Sequence, residues 1–171
     1  MAQVALKSTA VTNANSTPRV QNNTGLENGR LVRAVNGLVT ITSGNTQAAT
    51  LAAGASTYRV GKVRSSDFIH SWRVASPDIG TTTVVDLGLY DVLAHTNGGA
   101  VVSQTFFNTS LSLKDGAIDT TTGVAIASVE KHIWEMLSLT SDPNKEYDVV
   151  LTLTGAADGT GTLGVQVNVV R

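Results

Sequence analysis

The sequence predicts a mainly β protein: an antiparallel β-sandwich or jelly roll, with one short helix near residues 129–138 and an extended N-terminal arm. Three observations carry this expectation. Short segments of alternating apolar and polar residues recur along the chain, separated by Gly, Asn, Asp and Pro turns. Charged residues are only 15% of the 171, and Thr, Ser, Asn and Gly replace them, as on neutral sheet faces. One stretch alone switches from period two to helical spacing. A hydrophobic share of 42% supports a core at this length, so residues 30–171 are expected as one domain behind an arm of residues 1–29.

The arm reads Ala/Thr/Asn/Ser with Pro18 and Gly25 as breakers and has almost no periodicity, so it should order only when something holds it. From Arg30 the texture changes. In residues 31–42 (LVRAVNGLVTIT), Val35, Val39 and Ile41 share one side, with Gly37 as an expected bulge. Residues 57–64 (TYRVGKVR) alternate as a half-exposed strand would. In residues 67–76, Phe68, His70, Trp72 and Val74 should face one way and Ile69, Ser71 and Arg73 the other. Pro77, Asp78 and Gly80 end that strand, and a run rich in β-branched residues follows at 81–92. Val129, His132, Ile133, Met136 and Leu137 give the helical face, with Ser128 as the expected cap. Residues 147–154 and 162–170 alternate well and read as a closing hairpin joined by residues 155–161.

No constellation asks to be an active site. The absence of Cys excludes disulfide scaffolds, thiolate metal sites and Cys nucleophiles. Gly159–Gly164 spells GxGxxG, but a strand pattern follows it where a dinucleotide site needs a helix, so its glycines are expected at hairpin turns with positive φ. His70, His95 and His132 are well separated; His70 and His132 should pack, and His95 should be solvated. No GxSxG elbow occurs, and Asp86 and Asp91 fall on opposite faces of one strand, poor geometry for an acid/base pair. Trp72 and Trp134 read as core anchors. Phe106 and Phe107 should place one ring on each face of a strand, so that one ring is a candidate contact with another subunit. No catalytic residue, metal or cofactor is expected.

A net charge of −1 argues against a dedicated nucleic-acid binder, and no apolar run is long enough to span a membrane. The first residues lack a basic region followed by an apolar run, so synthesis in the cytoplasm is expected and the sequons at Asn15, Asn22 and Asn108 carry little meaning. The charge is uneven. Residues 1–64 hold Lys7, Arg19, Arg30, Arg33, Arg59, Lys62 and Arg64 against Glu27, while residues 115–171 are acidic on balance. Either such ends meet between copies or on a charged partner, or the fold mixes the two segments and no patch survives.

Residues 58–70 (YRVGKVRSSDFIH), 78–81 (DIGT) and 85–92 (VDLGLYDV) resemble the head structural proteins of tailed bacteriophages, as do 133–137 (IWEML) and 142–148 (DPNKEYD). Over residues 30–170 the chain is similar to their capsid cement, or decoration, proteins. The resemblance implies a non-enzymatic virion protein on the outer capsid surface. Its partners would be the major capsid protein and itself, as a homotrimer at three-fold and quasi-three-fold positions. Lys7, Arg19, Arg59, Lys62, Arg64, Phe106 and Phe107 are the candidate capsid or subunit contacts. The alternatives are a head-fibre or tail-associated adhesin and, more remotely, a small hydrolase on a jelly-roll scaffold.

Overall fold

The computed structural model describes residues 17–18, 32–45, 56–92, 99–114, 122–123, 125–128 and 131–171. The expected arm, with Lys7 and Arg19, and His95 lie outside these residues, Thr17 and Pro18 excepted. Among the described residues eight strands form: β1 (Val32–Ile41), β2 (Thr57–Arg64), β3 (Phe68–Ala75), β4 (Val84–Asp91), β5 (Val101–Ser112), β6 (Thr122–Gly123), β7 (Glu146–Leu153) and β8 (Gly161–Val170). They make two four-stranded sheets in the orders β1-β8-β3-β6 and β2-β7-β4-β5, with every pairing antiparallel. Among these pairings only β4–β5 joins consecutive strands. Strand partners that nest from the two ends of the chain inward are the jelly-roll arrangement, and the expected fold class stands.

The core lies between the sheets. Val35, Val39 and Ile41 of β1, Leu163, Val165, Val167 and Val169 of β8, and Ile69, Trp72 and Val74 of β3 face Val85, Leu87 and Leu89 of β4 and Val149, Leu151 and Leu153 of β7. Period-two alternation produces this directly, because each strand has one face to bury.

Several sequence expectations give way to the structure. The closing hairpin does not form: β7 and β8 belong to different sheets, and residues 154–160 cross between them. Alternation says which face a strand buries, and it is blind to which strand lies beside it. The glycines of that crossing carry no positive φ; a Cβ on Gly155 would lie 2.3 Å from the Thr82 carbonyl oxygen and one on Gly159 2.5 Å from that of Ile79, so close approach excludes a side chain there. Gly37 is not a bulge, since β1 pairs with β8 in unbroken register. It faces inward, where a Cβ would stand 2.8 Å from the Val60 carbonyl oxygen, and it lets β1 and β2 touch across the sandwich.

The bulges lie elsewhere, at Val60 on β2 and His70 on β3. The extra residue at His70 resets the alternation: Ile69, Trp72 and Val74 point inward and His70 is exposed, against the expectation that it packs with Phe68 and Trp72. The helix is also shorter than expected. A 3-10 turn at Ile126–Ser128 precedes a single α-turn, α1 (Ile133–Met136), whose N-cap is His132, not Ser128. His132 is extended and bridges to Phe68, and its N–H donates to Glu135 Oε2 at 2.8 Å; Ser138 in the left-handed region (φ 58°) stops the turn. Met136 and Leu137 pack on the core as the spacing implied, but Trp134 is half-buried outside it, 6.3 Å from the His132 ring.

Candidate contact surfaces

The basic set of β2 is brought together on one edge, and its carboxylate partners come from β7. Arg59 lies 2.6 Å from Asp148, while Lys62 and Arg64 each lie 3.5 Å from Glu146. The register dictates this, since Arg59, Lys62 and Arg64 stand opposite Val150, Asp148 and Glu146. The fold therefore mixes the basic and acidic segments at this edge. Asp148 is fully buried, and burial pushes its carboxyl up against the pull of Arg59 and Lys62. Lys62 and Arg64 keep about half of their side chains exposed, 48% and 49%. Beside them Lys145 bonds Asp91 at 2.7 Å, which raises its own pKa.

Phe106 and Phe107 do not lie on opposite faces of a regular strand. β5, which periodicity did not reveal, is irregular here: Leu87 pairs with Asn108 and Leu89 with Ser103, so the segment between bulges outward. Its two rings meet edge to face at 5.0 Å, both half-buried against the core. The same bulge crosses the outer face of the β2-β7-β4-β5 sheet. A Cβ on Gly88 would lie 2.1 Å from the Gln104 carbonyl oxygen, and Asp86, Tyr90, Val150 and Thr152 on that face are buried. Tyr90 and Thr152 share a 2.5 Å hydrogen bond, and burial raises the Tyr90 phenol.

Among the described residues the outer side of the opposite sheet is exposed along β1. There Val32, Ala34, Asn36, Leu38 and Thr40 of β1 lie beside Thr162, Gly164, Gln166 and Asn168 of β8, without a charge among them. Leu38 is 82% exposed in the middle of its strand.

The two ends of the sandwich are tied by aspartates. At one end buried Asp67 accepts from Arg64 N at 2.9 Å and Arg33 at 3.0 Å, with Arg171 at 3.6 Å. The neighbouring Ser65 hydroxyl donates to Asp142 at 2.5 Å, holding that carboxyl below its ordinary range, and His132 Nδ1 donates to the Ser66 carbonyl at 2.7 Å. At the other end Asp158 accepts from Thr81 N and Oγ1, each at 3.0 Å, and Thr83 Oγ1 at 3.1 Å. Desolvation pushes the Asp158 carboxyl up, but the bonds from Thr81, Thr83 and Thr82 outweigh it and leave it lowered. Among the described residues no group of three or more His, Asp or Glu could hold a metal ion.

No protein-family model matches the sequence, and no curated protein matches it. Among solved structures the fold is similar to a chain of the cyanophage Pam1 capsid asymmetric unit, with a TM-score of 0.54 and 15% identity, covering 91% of this chain and 96% of that one. It is also similar to a chain of the capsid of Ralstonia phage GP4, with a TM-score of 0.53 and 14% identity, covering 84% and 85% of the two chains. At such identities the likeness is one of fold. The jelly roll of this protein is thus an architecture shared, over most of its length, with chains found in two phage capsid assemblies.

Proposed function

We propose that this protein is a structural component of a phage virion that binds the outer surface of the capsid and stabilises it by bridging neighbouring major capsid protein subunits. The observation that carries this reading is the fold likeness to chains of two phage capsid assemblies, which takes in 96% and 85% of those chains. The resemblance of residues 58–70, 85–92 and 142–148 to head structural proteins agrees with it. Stabilisation in this role is physical: each copy contributes a modest interface, and repetition over the shell turns weak contacts into a stable cage. Self-association as a homotrimer at three-fold and quasi-three-fold positions would multiply those contacts further. Residues 1–29 act in this reading as an arm that orders on docking, and Lys62, Arg64, Phe106 and Phe107 as contact residues at the rim.

The test is the copy number of this chain in purified particles of its source, relative to the major shell protein. A ratio near one-to-one supports the cement role; a handful of copies per particle indicates a head fibre or tail adhesin instead. Adding the protein to particles that lack it should raise their resistance to heat, and deleting residues 2–17 should abolish binding while leaving the fold's melting temperature unchanged.

A further inference from the structure

Among the described residues three aspartates are almost wholly buried: Asp67, Asp86 and Asp148. Two of them have a cation. Asp67 has Arg33 and Arg171, and Asp148 has Arg59. Asp86, 5% exposed, has none among the described residues: its Oδ2 accepts from Gln104 Nε2 and its Oδ1 from Ser110 N, both at 2.7 Å and both neutral donors. A carboxylate taken out of water without a counter-charge is unfavourable, and two neutral hydrogen bonds offset that only in part.

Asp86 is not sealed under packing. It lines an open groove of about 540 Å³ on the outer face of the β2-β7-β4-β5 sheet, together with Val84, Gln104, Thr105, Thr109 and Thr154. The strand β5 is bent around this point. An extra residue interrupts its pairing between Asn108 and Leu111, and Ser110 takes a left-handed conformation (φ 53°) that a residue with a Cβ rarely adopts, with its N–H on Asp86. The rest of the described lining is hydroxyl, amide and methyl, so among the described residues the groove carries one negative charge and no cation.

We propose that this groove receives a lysine or arginine side chain of a partner protein, whose cationic head pairs with Asp86. The charge match is one to one, since no second carboxylate is among the described residues that line the groove. Hydroxyls of Thr105, Thr109 and Thr154 accept the remaining N–H groups, and Asp86 keeps its two existing donors while using its free lone pairs. Only the identity of the partner as a shell protein rests on the function proposed above; the chemistry of the groove stands apart from it.

The test is an amide-resolved NMR titration with Nα-acetyl-arginine amide, using Nα-acetyl-glutamine amide as the uncharged control. Saturable shifts of the Ser110 amide and the Gln104 side-chain amide are expected with the arginine probe only, and they should vanish in Asp86→Asn. Thr105→Lys, at an exposed position of the rim, supplies an ammonium from within and should block the probe in a chain whose buried residues are untouched. Absent shifts, equal shifts with the glutamine control, or shifts that persist in Asp86→Asn overturn the proposal. On particles, Asp86→Asn should bind about 30-fold more weakly or worse, the low end for truncating one member of a buried charge pair. Wild-type protein that fails to bind particles, yet responds to the probe, would instead overturn the capsid reading.

Discussion

One substitution, Gly to Ala, should change sign between two positions of this sandwich. Gly88 lies in β4 between Leu87 and Leu89, which point into the core, so its own Cα faces the outer side. The bulged segment of β5 passes directly over it. An added methyl would sit 2.1 Å from the Gln104 carbonyl oxygen, against an ordinary contact of 3.4 Å, an overlap of about 1.3 Å. The obstacle is backbone, so no side-chain rotation relieves it. The β5 segment must retreat, which loosens the pairs Leu87–Asn108 and Leu89–Ser103 and uncovers Val150 and Asp86. Overpacking of this kind costs about 1–3 kcal/mol, and a buried hydrogen bond left unmade a similar amount. We expect Gly88→Ala to lose about 3 kcal/mol, or about 6–12 °C in Tm for a chain of this size.

Gly164 is the matched control. It also lies in a strand and faces outward, but a Cβ there meets only Leu38 Cδ2 at 3.7 Å, an ordinary contact. Its φ is not positive, so Gly164→Ala should be neutral or stabilising by up to about 1 kcal/mol, through the lower entropy of the unfolded chain. Urea unfolding followed by Trp fluorescence measures both. Midpoints for Gly88→Ala and Gly164→Ala within about 0.5 kcal/mol of each other would refute the crossing of β5 over Gly88.

Three further outcomes follow from the same geometry. Arg59→Ala strips the fully buried Asp148 of its cation and should cost about 3 kcal/mol near neutral pH in urea titrations. Burial already raises the Asp148 pKa and loss of Arg59 raises it further, so the loss should begin to shrink above the wild-type value, as the variant's carboxyl takes up a proton, and vanish below it; a loss independent of pH would argue against the pairing. Asp158→Asn tests the opposite sign: the Asp158 pKa is lowered, so its contribution is present above the ordinary aspartate value and is lost as pH falls through the folded one. The gap in urea midpoint between wild type and Asp158→Asn should therefore close on acidification, and a gap that widens would contradict the threonine cage. Trp72→Ala opens the core beneath the His70 bulge and should cost about 3–5 kcal/mol by thermal melting, whereas His70→Ala, at an exposed position, should change stability by less than about 0.5 kcal/mol.

The candidate contacts were legible in kind and incomplete in arrangement. Arg59, Lys62 and Arg64 stand out as a basic cluster in sequence, but their partners Glu146 and Asp148 lie more than eighty residues away, and only the β2–β7 register matches them. Phe106 and Phe107 are conspicuous as neighbours, yet their edge-to-face contact depends on a bulge that leaves no periodic trace. Asp86 was visible as an acid inside an apolar strand. That its described partners are the neutral Ser110 and Gln104 is a property of two strands packed side by side.

What the amino-acid order determined by itself is the inward face of most strands. Val35, Val39 and Ile41, or Val165, Val167 and Val169, have only one side to bury, because successive Cβ atoms alternate across a strand. It also determined that α1 sits among strands and that Pro77, Asp78 and Gly80 end β3. The tertiary structure alone decided the neighbours. Ladder hydrogen bonds join backbone groups that every residue but proline carries, so β7 and β8 look equally able to pair with each other or with strands far away. Packing two apolar faces while placing Asp148 beside Arg59 and Asp67 beside Arg33 selects the nested order, with a bulge at His70 where the register must yield.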